Sequence, residues 1–139
     1  IEVELESPLG ILKVTCVSMG NPHAVIFVDA ITDALVHQAG PVLERHPAFP
    51  RRANIEFVKV LSRERFEMRV WERGSGETRS CGTGICAVAL AANIYQKRSL
   101  PAKWIINPPG GRLTVELDPH SNATLTGAAL ILQDFEVEI

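Results

Sequence analysis

Long apolar runs are missing from this chain of 139 residues. The longest stretch, Ile85 to Ala92, falls far short of the ~20 residues a helix needs to cross a bilayer. No basic segment leading into an apolar one marks the start as a targeting signal. No membrane partner is therefore expected. Charge of one sign does not cluster either: 14 Lys and Arg against 16 Asp and Glu leave a formal net charge of −2, with the basic residues scattered. The electrostatic footprint of a nucleic-acid binder is lacking, and a small molecule is the expected partner. Cysteines number three, an odd count that builds no disulfide framework and favours a reducing compartment, the cytoplasm. No Gly-Lys-Ser or Gly-Lys-Thr occurs, which removes the P-loop.

What is present fits one packed domain. Apolar residues make up 46% and charged residues 22% of the chain, close to the globular average and far from disorder. The chain opens at Ile1, already inside the alternation of "IEVELES", so it is expected to be a segment of something longer.

Apolar and polar residues alternate in "IEVELES" and "GILKVTCV" around Ser7-Pro8-Leu9-Gly10, which predicts a β-hairpin. "HAVIFV" predicts a more buried strand, and residues 31–46 suit one or two short helices broken near Gly40-Pro41, with Thr32 and Asp33 as caps. "NIEFVKVL" and "RFEMRVWE" predict a second hairpin. From residue 83 the period changes: apolar residues cover every face of a helix expected over 83–98, so it must be enclosed by protein. "KWIIN", "GRLTVEL" and "NATLTGAALILQDFEVEI" add strands. The expected fold is α+β, a curled, barrel-like mixed or antiparallel sheet wrapped around one central buried helix.

Cys81 lies just before that helix, where unpaired N–H groups and the positive end of the dipole stabilise an anion. No acid occurs between Glu77 and Glu116, while Arg79, Lys97, Arg98, Lys103 and Arg112 are basic, so the local field is expected to favour thiolate. Gly82 and Gly84 leave the turn's amides open to a substrate carboxylate. On this stretch alone, a small residue in a tight turn remains the competing reading. Cys86, about 140° further round the helix, and Cys16, on a strand face with Leu12 and Val14, are expected to be packing. C-x4-C lacks metal-ligand spacing, and no metal is expected. "GTGICA" matches a dinucleotide fingerprint formally, but it follows a polar stretch rather than a buried strand. "GNPH" at residues 20–23 reads, taken alone, as a turn with a surface histidine. "WERG" at 71–74 reads as a surface pair, and Asn54 as a turn residue.

Taken together, "SMGNPHAVIFV", "FPRRANIEFVKV", "RVWERGSGETRSCGTGICAVALA" and "PPGGRLTVEL" resemble the carboxy-terminal half of the diaminopimelate epimerase family over nearly the whole chain. The resemblance implies a pyridoxal-independent isomerase, without a cofactor, that interconverts LL- and meso-diaminopimelate for lysine and peptidoglycan synthesis. It implies two thiols facing each other across the substrate α-carbon, one removing a proton and the other returning one. Cys81 matches one of them, and His23 and Glu72 join it as catalytic candidates. Asn21, Asn54, Glu72 and Arg73 match residues holding the amino and carboxylate groups, and Gly82 and Thr83 match backbone contacts. The partner cysteine belongs to an amino-terminal half that is absent here, since neither Cys16 nor Cys86 matches it. Residues 1–139 are thus expected to be the carboxy-terminal catalytic domain of a two-domain enzyme, inactive alone, and a homodimer stays open. Ala128 stands where the family usually has proline, which bears on a turn. The alternatives are a racemase of another amino acid such as histidine, and a non-catalytic anion-binding domain.

Overall fold

The computed structural model describes residues 1–132 and residue 136. The first hairpin forms as its alternation dictates: β1 (Glu2–Ser7) pairs antiparallel with β2 (Gly10–Ser18). Gly10 makes the turn at φ 106°, a conformation that L side chains rarely adopt. β3 (Pro22–Phe27) runs antiparallel to β2 and parallel to β4 (Asn54–Val60). β4 and β5 (Arg65–Glu72) make the second expected hairpin. β5 carries the short β6 (Gly76–Thr78) near one end and pairs in parallel with β7 (Ala102–Asn107) at the other. β8 (Leu113–Leu117) and β9 (Ala123–Thr126) follow antiparallel.

Among the described residues these strands form one mixed sheet in the order β1-β2-β3-β4-β5-β7-β8-β9, with β6 on β5. The sheet curls around helix α2 (Gly82–Tyr95), which touches β2, β3, β4, β7, β8 and β9. It wraps the helix without closing, since β1 and β9 are edges rather than partners.

Residues 84–89, Ala91 and Ala92 of α2 are buried, so between its exposed first residues and its last turn the helix keeps no wet face. Ile85 and Val88 are each worth about 1.5–3 kcal/mol of burial, which holds the helix where its intrinsic propensity alone would not. The helix stops at Tyr95 rather than at residue 98. Lys97 takes a left-handed φ of 51°, and the Asn93 carboxamide turns to the Arg98 carbonyl.

A second layer covers the other face of the sheet. The π-helical turn Leu35–Ala39 runs into α1 (Gly40–Glu44), so the expected break near Gly40-Pro41 is a change of winding. Pro41 has no N–H to give an α-helical bond, and Gly40 reaches back five residues to Leu35. Thr32 caps this segment through the Leu35 N–H, whereas Asp33 pairs with Arg69. Gly40 packs closely here: a Cβ would stand 3.0 Å from the Trp71 side chain, so the indole would have to shift to admit one. The final strand is shorter than expected. β9 ends at Thr126, residues 127–132, including Ala128, carry no strand, and the remainder of "LQDFEVEI" apart from residue 136 lies outside the described residues.

Candidate active site

The two-residue period of strands decides which side chains meet α2. Val25 of β3, Val58 of β4 and Met68 and Val70 of β5 pack in the α2 core. His23, Asn54, Glu56 and Glu72 share their strand faces and therefore line up toward the helix. His23 and Asn54 are register partners on adjacent parallel strands. Cys81 is the N-cap of α2, in extended conformation (φ −139°, ψ 110°). No side-chain oxygen occupies that position, so the first-turn N–H groups keep their pull on an anion.

A chain of contacts links strand to helix. His23 Nδ1 lies 2.6 Å from Glu56 Oε1, both side chains being fully buried. His23 Nε2 lies 3.0 Å from Asn21 Oδ1. Asn21 Nδ2 donates to Thr83 Oγ1 at 3.3 Å, and that hydroxyl stands 3.7 Å from Cys81 Sγ. The surface histidine expected from "GNPH" alone is instead 1% exposed. A tight turn at Gly20 (φ 90°) delivers it into the sheet interior.

Asn54 braces two turns. Its Oδ1 accepts the Arg73 N–H at 2.8 Å, and its Nδ2 donates to the Pro22 carbonyl at 3.3 Å. Glu72 and Arg73 do not pair with each other: the Glu72 carboxylate accepts the Thr78 hydroxyl, and the exposed Arg73 guanidinium donates to the Arg51 carbonyl. Gly82 and Thr83 are exposed at the helix mouth, and Cys81 is half-buried beside them.

The field at the sulfur differs from the expectation. The Cys81 thiol is pushed above its ordinary range, first by burial and further by the carboxylates of Glu72 and Glu56. The Gly84 N–H and the Thr83 hydroxyl pull the other way and do not win. The acids come from β4 and β5, outside the acid-free interval of sequence, while Arg98 pairs with Glu64 and Lys103 with Glu116. Free Cys81 is therefore held as a thiol rather than as a standing thiolate. Cys86 is buried and Cys16 packs against the opposite core, as their spacing suggests.

Two groups escaped the sequence reading. Glu56 sits inside a strand buried on both faces, where its acid between Ile55 and Phe57 was the available signal. Glu44, 4% exposed, accepts Trp71 Nε1 and the Gly74 N–H from behind the sheet and so anchors the turn that follows Glu72. Cavities of about 370 and 500 Å³ lie elsewhere, lined by neither Cys81 nor its neighbours. Among the described residues no three His, Cys, Asp or Glu side chains converge as metal ligands. The site is an open surface at the helix mouth.

The family model for diaminopimelate epimerase matches residues 15–132. The chain belongs to the diaminopimelate epimerase family. It is 50% identical over 117 residues to the diaminopimelate epimerase of Moorella thermoacetica, covering 84% of this chain and 41% of that protein. It is 45% identical over 129 residues to that of Pseudomonas savastanoi pv. phaseolicola, covering 92% and 46%. The chain thus spans somewhat under half the length of these relatives. The crystal structure of a probable proline racemase from Agrobacterium radiobacter superposes with a TM-score of 0.66 at 22% identity, over 85% of this chain and 41% of that one. At that identity the likeness speaks for the fold alone.

Proposed function

We propose that this chain is the carboxy-terminal half of a cytoplasmic diaminopimelate epimerase in lysine biosynthesis, supplying one of two thiols that invert the substrate α-carbon without a cofactor. The observation that carries the reading is the placement of Cys81. Its sulfur stands half-buried at the uncapped mouth of α2, joined through Thr83 to Asn21, with the Glu72 charge acting on it. A thiol raised by burial and carboxylates is suited to hold a proton for delivery, and Glu72 is the base that accepts it when Cys81 must act as thiolate. The Gly82 and Thr83 amides at the positive end of the helix receive the substrate α-carboxylate. Asn21, Asn54 and Arg73 frame that position.

Inversion needs an acid or base on each face of the carbon. Neither Cys16 nor Cys86 opens onto the helix mouth, so the second thiol comes from the remaining half of the protein. The racemase alternative has support in fold only. The test is complementation: this chain is produced with the amino-terminal half of the Moorella relative and supplied with LL-diaminopimelate, histidine or proline. Meso-diaminopimelate is expected from the combination. Turnover of another amino acid in its place moves the assignment to a racemase, and saturable binding of diaminopimelate with no turnover moves it to a binding domain.

A further inference from the structure

We infer that Glu56 is a positioning residue for the site: its buried carboxyl anchors Nδ1 of His23, so that the ring presents an Nε2–H to Asn21 and aligns the contacts leading to Cys81. The inference rests on the reading that Asn21 and Thr83 serve the thiol. Three observations place Glu56 there. The contact to Nδ1 is 2.6 Å between two fully buried side chains. The second carboxyl oxygen, Oε2, is buried with no hydrogen-bond partner, a cost that a merely structural apolar residue at this position would not incur. And Gly84 has no Cβ where one would stand 2.8 Å from Oε1 and 3.3 Å from Cys81 Sγ. The helix mouth is thus hollowed to admit the carboxyl beside the thiol.

The proton arrangement follows from the contacts. Asn21 turns its Nδ2 to Thr83 and its Oδ1 to the ring, which requires hydrogen on Nε2. One more proton lies between Nδ1 and Oε1. Whether it rests on carboxyl or ring, the pair is neutral overall and Nε2 keeps its hydrogen. Burial pushes the Glu56 carboxyl up, while His23 and the backbone N–H groups of Ala24 and Glu56 pull it down, and in either placement Oε1 is the partner that fixes Nδ1. Without a partner at Nδ1 the imidazole is free to move its hydrogen to that nitrogen, and Asn21 then loses the donor that fixes its amide.

Nitrogen-15 NMR of the histidine ring, recorded without substrate near neutral pH, tests this in the parent protein, Glu56→Leu and Glu56→Gln. The parent is expected to show His23 with hydrogen on Nε2. Leucine fills similar volume but offers no hydrogen bond, so Glu56→Leu is expected to give a mixture of ring forms. Proton exchange from the Asn21 carboxamide is then expected to speed by about fivefold, the scale of one lost hydrogen bond. Glutamine donates to Nδ1 and is expected to restore the parental ring form. Gly84→Ala pushes the carboxyl aside while leaving its chemistry intact, and it is expected to reproduce the leucine result should Glu56→Leu fail to fold. A parental ring pattern in whichever of Glu56→Leu and Gly84→Ala is folded overturns the inference, as does a parent lacking hydrogen on Nε2. Because no substrate is present, either outcome is separate from that of the epimerase reading.

Discussion

The backbone N–H of Arg73 lies 2.8 Å from Oδ1 of Asn54, a side-chain to backbone bond that joins the end of β5 to the start of β4. The same carboxamide reaches the Pro22 carbonyl, so a single buried residue sets the relative positions of Asn21, Glu72 and Arg73. Asn54→Ala leaves two backbone groups without that partner. It is expected to cost about 1–3 kcal/mol, measured as a lower denaturation midpoint at unchanged slope.

The thiol gives a prediction of the opposite sign to the one its sequence neighbours suggest. Burial and the Glu72 and Glu56 carboxylates hold Cys81 above the ordinary thiol range, so alkylation in the absence of ligand is expected to rise only as pH enters the alkaline range. Glu72→Gln removes one negative charge and moves the profile to lower pH. Peptide mass spectrometry of iodoacetamide-treated protein reads this, with buried Cys86 as the internal reference. A Cys81 profile centred below the free-thiol value of about 8.5 contradicts the electrostatic account.

On the far face of the sheet, Glu77 bonds Arg69 Nε at 2.7 Å and His37 Nε2 at 2.6 Å. Arg69 first, and His37 after it, hold this carboxylate below its usual range despite partial burial. A depressed carboxylate contributes stability that is present above the unfolded value of about 4.3 and lost as pH falls through the lower folded value. Glu77→Gln is expected to lower stability at neutral pH by about 1–2 kcal/mol and to flatten its decline in acid. Thermal unfolding from pH 7 to pH 3 checks both.

Much of the sheet was legible because its strands alternate. β1, β2, β4 and β5 fall where "IEVELES", "GILKVTCV", "NIEFVKVL" and "RFEMRVWE" place them, and the enclosed helix follows from the lack of any polar side between Ile85 and Ala92. The grouping of Cys81, Asn21, Thr83 and His23 came from the family resemblance: "GNPH" alone suggested a turn, and the Cys81 stretch alone a thiol at a helix mouth with a tight-turn residue as the competing reading. What stayed hidden depended on pairing between distant strands. Glu56 lies on a strand buried on both faces, where alternation says nothing about which side an acid takes. The charge around Cys81 was misjudged because Glu56 and Glu72 precede it in sequence yet converge on it across the sheet. The run after Thr126 is apolar enough for a strand, but Leu130, Ile131 and Leu132 stand exposed without one.

The most direct test is α-hydrogen exchange from LL-diaminopimelate in heavy water, with this chain completed by the amino-terminal half of the Moorella relative and compared with its Cys81→Ser variant. The parent combination is expected to incorporate deuterium at the α-carbon and form the meso isomer. The variant is expected to be slower by on the order of 10²–10⁴, the contribution of one positioned acid-base group. Exchange by the serine variant at the parental rate contradicts the assignment of Cys81 as a proton-transferring thiol.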